Sequence, residues 1–420
     1  MPPWQRLRPA ASIRHNTKEV ILSYVGKRIR RTLQSMRLIK STIERAKECR
    51  RLNGQTCKTV PRMLLEVYRY RKYWKFESAV DAYFEFELYS RQKSMDDVLA
   101  YVPEHAHQML QTRSRYREYD CTAFDKRYEY LMFKAMGLPH PKVMLFTFGG
   151  TITDDCFRRL DLATATDLVM NSRVRRFFLK PAFSSGAKGT DVVSIVDGRL
   201  RRMNGAMTDL AAIVKEATEL PSGYVLQCEM QNQHPLIKEL SPDTVNTLRI
   251  VTHCLGAKYR ILGIYLRLGR KGGSFDNANA GGVFISVDPR SFETTGGCYD
   301  KMSRTKSLGQ LHPDTGAKLS GIRIPFSDEI LRILDNAAIV FSENPYLGWD
   351  VAITTTGPCL IEVQLGFDVW ALQVAAGRGL RDDFQYDPTK VSKQKSKWAE
   401  VGVYWKNLED REAEARKAVS

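Results

Sequence analysis

Apolar residues recur at helical spacing between residues 17 and 51, at Val20, Ile21, Val25, Ile29, Leu33, Met36 and Ile39, and this pattern predicts a helix. Aromatic-rich helical patterns continue across 62–136, notably at 79–90 and 127–136, so the first third of the chain reads as mainly α. The texture changes at Gly137-Leu138-Pro139-His140-Pro141. Beyond it, short apolar runs are separated by glycine, aspartate and asparagine turns, the mark of strands. Strands are expected at 143–148, 176–181, 191–196, 200–203 and 223–230, with helices at 161–170 and 208–220. Asp197-Gly198 reads as a two-residue hairpin turn. Further strands are expected at 247–254, 260–268 and 281–287, then a helix at 327–344 and a hairpin across 350–364. Residues 396–420 read as a charged helix.

Length and composition narrow this picture. At 420 residues the chain has room for two or three domains. Hydrophobic residues at 43% and charged residues at 26% exclude wholesale disorder. No window approaches the ~18–20 apolar residues of a membrane span. The opening Met1-Pro2-Pro3-Trp4-Gln5-Arg6 has no apolar core of a secretory signal. Eight scattered cysteines without a CxxC pair argue against zinc and for reduced thiols, so a cytoplasmic protein is expected.

The net charge of +17 favours polyanionic partners, such as nucleotide phosphates, nucleic acid or an anionic membrane, without choosing among them. The densest basic run lies between Lys27 and Arg51, where ten lysines and arginines face Glu44 and Glu48. It reads either as a solvated helix face or, through residues 18–51, as a peripheral contact with an anionic membrane. No helix-turn-helix, zinc-finger or RNP-type motif is evident, so nucleic-acid binding is not expected as the main role.

Four constellations could carry chemistry. In the first, a strand ends in Lys180 and leads into Ser184, Ser185, Gly186, Lys188 and Gly189. Small residues let backbone N–H groups approach a phosphate, although a plain glycine hairpin would look the same. In the second, an apolar strand turns polar at Gln227, Cys228 and Glu229, a place to hold an adenine with a carboxylate near its ribose. His234, before Pro235, is either a turn residue or a base. The third is Arg249, which interrupts an apolar strand and needs an anion, either a structural carboxylate or a phosphoryl group. Arg267 lies at the polar end of the neighbouring strand, and Asp276 and Asn277 open a polar loop.

The fourth is the 350–364 hairpin. A three-residue loop at 355–357 would pair Asp350 with Glu362 and bring Gln364 to the same face. A two-residue loop would put the two carboxylates on opposite faces. Two adjacent carboxylates and an amide oxygen suit Mg²⁺ carrying a nucleotide, and the carboxylates would repel each other until a cation arrives, although a half-buried acidic edge strand would look the same.

The order of these features resembles the ATP-grasp superfamily. Gln-His-Pro at 233–235, Asn-Thr-Leu-Arg at 246–249, Asp-Asn with Gly-Gly across 276–282 and His-Pro-Asp-Thr-Gly at 312–316 are similar to the sugar-transfer-associated ATP-grasp family. So are Gly-Trp-Asp-Val-Ala-Ile-Thr at 348–354, Tyr-Phe-Glu-Phe-Glu-Leu-Tyr at 83–89 and Asp125-Lys126 before a helix. The resemblance covers about residues 80–380. It implies an α+β ATP-grasp fold, two α+β lobes clasping a nucleotide, preceded by a mainly helical, basic N-terminal region. The implied divisions are 1–120, 121–226 with a lid at about 141–226, a catalytic lobe at 227–395, and the helix 396–420.

The resemblance also implies roles. Lys126, Lys180 and the 184–189 loop would hold the phosphates of ATP, and Gln227, Cys228 and Glu229 would line the adenine and ribose site. Arg249, Arg267 and Asn277 would serve the transferring phosphoryl group. Asp350, Glu362 and Gln364 would bind Mg²⁺, with Mn²⁺ as an alternative. The family usually has asparagine where this chain has Gln364, which keeps the amide oxygen one methylene further out. The implied activity is an ADP-forming carboxylate–amine ligase acting through an acyl phosphate, on small-molecule carboxylate and amine substrates that include sugar- or glycan-related ones. A phosphotransferase acting on a hydroxyl and a non-catalytic nucleotide binder are the alternatives.

Overall fold

The structure is a computed structural model that describes residues 38–76, 79–114, 119–184, 188–255, 258–278, 281–301 and 307–386. The expected helix over 396–420, the first part of the 17–51 helix, and Ser185 and Gly186 lie outside the described residues. The chain divides into two compact units, Met1–Arg69 with Tyr89–Gln92, and Tyr70–Leu88 with Lys93–Ser420.

In the first unit, residues 38–53 are helical, as the apolar spacing predicts. The Lys58 ammonium is buried on Glu66 at 2.7 Å, and Arg62 reaches the other oxygen at 3.1 Å. Two partners satisfy a carboxylate that would be costly to bury alone.

The second unit holds two antiparallel sheets. The first is built from β1 (Val143–Phe148), β2 (Thr151–Thr153), β3 (Arg159–Leu160), β4 (Arg176–Pro181), β5 (Asp191–Val196), β6 (Arg199–Arg202), β7 (Met207–Thr208) and β8 (Tyr224–Cys228). Their spatial order is β3-β2-β1-β8-β4-β5-β6-β7. Asp197 and Gly198 both take positive φ, 47° and 68°, which gives the tight turn between β5 and β6. Helices Leu162–Met170 and Leu210–Thr218 start at Asp161 and Asp209, whose carboxylates accept the Thr164 and Ala212 N–H groups at 2.8 Å. Ala165, Val169, Leu210 and Ile213 bury one side of these helices against Leu145, Phe177 and Leu226 of the sheet.

The second sheet comprises β9 (Thr247–Leu255), β10 (Lys258–Leu268), β11 (Val283–Val287), β12 (Thr294–Asp300), β13 (Tyr346–Thr354) and β14 (Gly357–Gln364), in the order β12-β11-β10-β9-β13-β14. Alternation decides what it does. Leu248, Ile250, Ile264, Leu266, Trp349, Val351 and Val363 face a core closed by Ile330, Leu334 and Ala337 of helix Ser327–Val340. Residues between them, Arg249, Arg267, Asp350, Glu362 and Gln364, project from the opposite face. One face of the sheet makes the core and the other makes the site.

Three expectations differ in detail. The 79–90 helix ends at Glu85. Glu87 turns left-handed at φ 52°, and the Leu88 and Glu87 N–H groups bond back to Tyr83 and Phe84 carbonyls, a Schellman termination. Strand β12 was not expected, because Thr-Thr-Gly-Gly-Cys lacks apolar alternation and its pairing with β11 is interrupted by a register shift. The hairpin turn has two residues, not three: Thr354 pairs with Gly357, and Val351 with Leu360. A register shift then makes Ile361 an extra residue, so Asp350 still faces Glu362. The anticipated pairing arises from a bulge and not from the loop.

Candidate active site

Lys180 and Gln227 stand on neighbouring strands of the first sheet, and the ammonium donates to Gln227 Oε1 at 2.6 Å. Burial lowers the Lys180 pKa, reinforced by Lys126 and partly offset by Glu362, Glu129 and Asp350. Lys126 opens helix Lys126–Ala135, which Asp125 caps by accepting the Arg127 N–H. The Lys126 backbone donates to Ala182 O at 2.9 Å, which ties the helix start to the chain leaving β4. Its ammonium donates to Ser184 O at 2.7 Å and pairs with Glu362 at 3.6 Å.

On the second sheet, Arg249 binds Asp350 through two bonds of 2.5 and 3.0 Å and also donates to Gln364 Oε1 at 3.0 Å. Arg267 reaches the same carboxylate at 2.8 Å and donates to Thr247 Oγ1. Thr247 in turn donates to Asp276 at 2.5 Å. Gly348 lies on the face of Asp350, where a Cβ would make only ordinary contact with Arg249 Cδ, at 3.4 Å. Burial opposes ionisation of Asp350, but Arg249 and Arg267 outweigh it and hold its carboxyl below the usual range. Burial raises the pKa of Asp276 against the pull of Arg267.

Two cavities meet at this cluster. One, of about 130 Å³, is bounded by Phe178, Lys180, Gln227, Met230, Ile361 and Glu362. Ile361, the bulge residue, is therefore on its apolar wall. The other, of about 580 Å³, lies beyond Arg249 and extends to Tyr265, Lys301 and Asp368. Ser184, Arg267, Asp276, Asn277, Glu362 and Gln364 border both.

Most of the expected residues come together here, but not all. Lys126, Lys180, Ser184, Gln227, Cys228, Asn277, Arg267, Asp350, Glu362 and Gln364 line the smaller cavity, and Arg249 the larger. Lys188 and Gly189 lie outside both walls, where Thr190 lines the smaller cavity instead. Glu229 is off the wall as well: it pairs with Arg176 at 2.5 Å, and Arg176 also reaches Ser274 at 3.0 Å. The ring of His234 accepts the Leu236 N–H, which makes it the cap of a short helix. The repulsion expected between the two carboxylates across the hairpin is offset, because two arginines pair with Asp350 and Lys126 faces Glu362.

Glu129 was missed. Its side chain accepts the Val363 N–H, and burial together with Glu362 raises its pKa well above the ordinary value. The available signal was its position three residues after Lys126, on the same helix face.

Residues 113–386 match the model of the sugar-transfer associated ATP-grasp family. The match takes in more than half of the chain, and the protein belongs to that family. Enzymes of this fold use ATP and divalent metal ions. No curated protein matches the chain. Among solved structures it is similar to an L-amino acid ligase from Bacillus licheniformis, at 14% identity and TM-score 0.31, over 60% of this chain and 42% of that one. It is also similar to D-alanine–D-alanine ligase from Helicobacter pylori, at 11% identity and TM-score 0.35, over 64% and 63%. A phosphoribosylamine–glycine ligase from Thermotoga maritima matches at 10% identity and TM-score 0.34, over 60% and 51%. The chain spans less than two thirds of each of these proteins. No helix among the described residues is long and apolar enough to cross a membrane.

The donor set of Asp350, Glu362 and Gln364 is all oxygen and sits on one sheet face, which fits a hard cation arriving with phosphates. A lysine at Lys180 whose pKa is lowered loses its charge at a lower pH than the ordinary ~10.4. ATP affinity should therefore fall as pH rises through that lowered value, by about thirtyfold if the charged contact is worth roughly 2 kcal/mol. Calorimetric titration across the alkaline range checks this, and Lys180→Arg should flatten the dependence.

Proposed function

We propose that the protein is an ATP- and Mg²⁺-dependent carboxylate–amine ligase, ADP-forming, whose carboxylate is an amino-acid or sugar-related small molecule. The observation that carries the proposal is the state of the acids at the junction of the two cavities. A hydroxyl acceptor needs a base to take its proton. Asp350 is held by two guanidiniums, Asp276 accepts from Thr247 and faces Arg267, and Glu362 faces Lys126. Each of the three is already engaged by a cation. A carboxylate acceptor needs no base, and its charge suits a junction that Arg267 borders, with Arg249 on the wall of the larger cavity and Lys126 and Lys180 on that of the smaller.

In this reading Lys126 and Lys180 orient the triphosphate from the smaller cavity. Arg249 and Arg267 exchange Asp350 for the anions at the junction and hold the acceptor carboxylate in line with the γ-phosphorus. The acceptor oxygen bonds to that phosphorus as the bond to ADP breaks. The amine then attacks the acyl carbon, phosphate leaves, and the amine proton is released. Magnesium, held by Asp350, Glu362 and Gln364, would supply charge neutralisation for the phosphates.

Incubation with ATP, Mg²⁺, candidate carboxylic acids and hydroxylamine tests the proposal. A hydroxamate with stoichiometric ADP and phosphate is expected. A stable phosphate ester on an alcohol, without free phosphate, would assign a kinase instead.

A further inference from the structure

Among the described residues, strand β14 forms the edge of its sheet, and its outward N–H groups have no strand beside them. Before the bulge, Leu360 N–H donates to the backbone carbonyl of Pro139 at 2.8 Å. After it, the chain 139–141 no longer supplies a partner, and Val363, fully buried, donates its N–H to the Glu129 carboxylate. Val363 is the residue between Glu362 and Gln364. The same helix face carries Lys126, which pairs with the Glu362 side chain. Helix Lys126–Ala135 thus grips this stretch twice, once by side chain and once by backbone.

We propose that Glu129 is a positioning residue: by accepting the Val363 N–H it fixes the backbone that aims Glu362 and Gln364 at a nucleotide-borne metal. The bulge gives such a device a task. Ile361 is the extra residue in the pairing, so the register beyond it rests on the Trp349–Val363 and Gly348–Gln364 pairs and the buried Val363 side chain, and the Glu129 bond adds a further anchor against a one-residue slip. A slip would turn Glu362 away from Asp350. Groups that orient metal ligands typically matter ten- to a hundredfold in metal affinity. The inference rests on Glu362 and Gln364 being metal ligands.

Two variants separate reach from charge. Glu129→Gln keeps the reach and an Oε1 acceptor but cannot ionise. Glu129→Asp can still ionise but is one methylene short of Val363. ADP affinity is measured by calorimetry for each, once in EDTA and once in excess Mg²⁺. The expected result is that Glu129→Gln retains the wild-type gain from Mg²⁺, whereas Glu129→Asp loses about tenfold of it with its EDTA affinity unchanged. The reverse ranking would mean that Glu129 acts by charge on Lys126 and Lys180, and would overturn the inference. So would an equal loss in both media, or a Glu129→Asp protein altered only in melting temperature. A wild type whose ADP affinity does not respond to Mg²⁺ would overturn the ligand reading and this inference with it.

Discussion

Asp350→Asn is expected to abolish turnover and to lower unfolding stability by about 3 kcal/mol, since removing one partner of a buried ion pair strands the other. Here two cations are stranded. Arg249 and Arg267 both point at Asp350, and each side chain is about nine-tenths buried. An asparagine retains one acceptor oxygen, which keeps the loss toward the lower end of the roughly 3–5 kcal/mol that breaking a buried ion pair costs. The pH dependence follows from the sign of the shift. The folded carboxyl titrates below its unfolded value of about 3.9, so its contribution is complete above that pH and is lost as pH falls through the folded value. The variant's stability deficit should therefore be constant near neutrality and shrink on strong acidification. Urea denaturation of both proteins between neutrality and pH 3 measures it. A deficit that is absent at neutral pH would mean that the arginines find another anion.

The alternation of the strands was legible because it has a physical cause readable in one dimension. Arg249 between Leu248 and Ile250, and Asp350 between Trp349 and Val351, can only face away from the core. Helix starts at Asp161 and Asp209 were legible for the same reason, since the capping carboxylate precedes its own helix. What was not legible depends on distance in three dimensions. The partner of Arg249 lies 101 residues away, so an arginine awaiting phosphate and an arginine already holding Asp350 look alike in sequence. The bulge at Ile361 leaves no compositional mark, and the Asp350–Glu362 pairing was reached through a turn length that the structure does not have. Glu229 looked like a ribose ligand, yet Arg176, on the strand beside it, takes that carboxylate.

Several motifs that carried the family resemblance prove to be scaffold. Gln233 donates to Asn246 O at 2.7 Å, and Asn246 binds the Ser241 carbonyl at 2.8 Å. His312 faces Gly269 O at 2.9 Å, and Asp314 grips Arg270 at 2.6 Å. These bonds fix the end of β10 and the start of β9, where Arg267, Thr247 and Arg249 leave the backbone. The motifs hold the strands that carry the chemistry, which is why they help to identify the family without naming its substrate.

Mn²⁺ alone should bind this protein about a hundredfold more weakly than Mn²⁺ with ADP. The reason lies in how Asp350 and Gln364 are held. Both Asp350 oxygens accept from guanidinium groups, and Gln364 Oε1 accepts from Arg249. A bare cation would have to enter beside two buried arginines and take their partner, which the low local dielectric makes costly. A nucleotide changes the balance, because its phosphates offer the arginines and Lys126 other anions and leave Asp350, Glu362 and Gln364 for the metal. Each ligand then raises the affinity of the other by the same factor, and about 3 kcal/mol is at the upper end of such couplings. Titrating Mn²⁺ by electron paramagnetic resonance with and without ADP, and ADP by calorimetry with and without Mn²⁺, should return that one factor twice. Arg249→Met should strengthen Mn²⁺ binding without nucleotide and shrink the coupling, since Asp350 would then keep only Arg267. Tight Mn²⁺ binding to the nucleotide-free wild type would show that the arginine clasp does not guard the metal site.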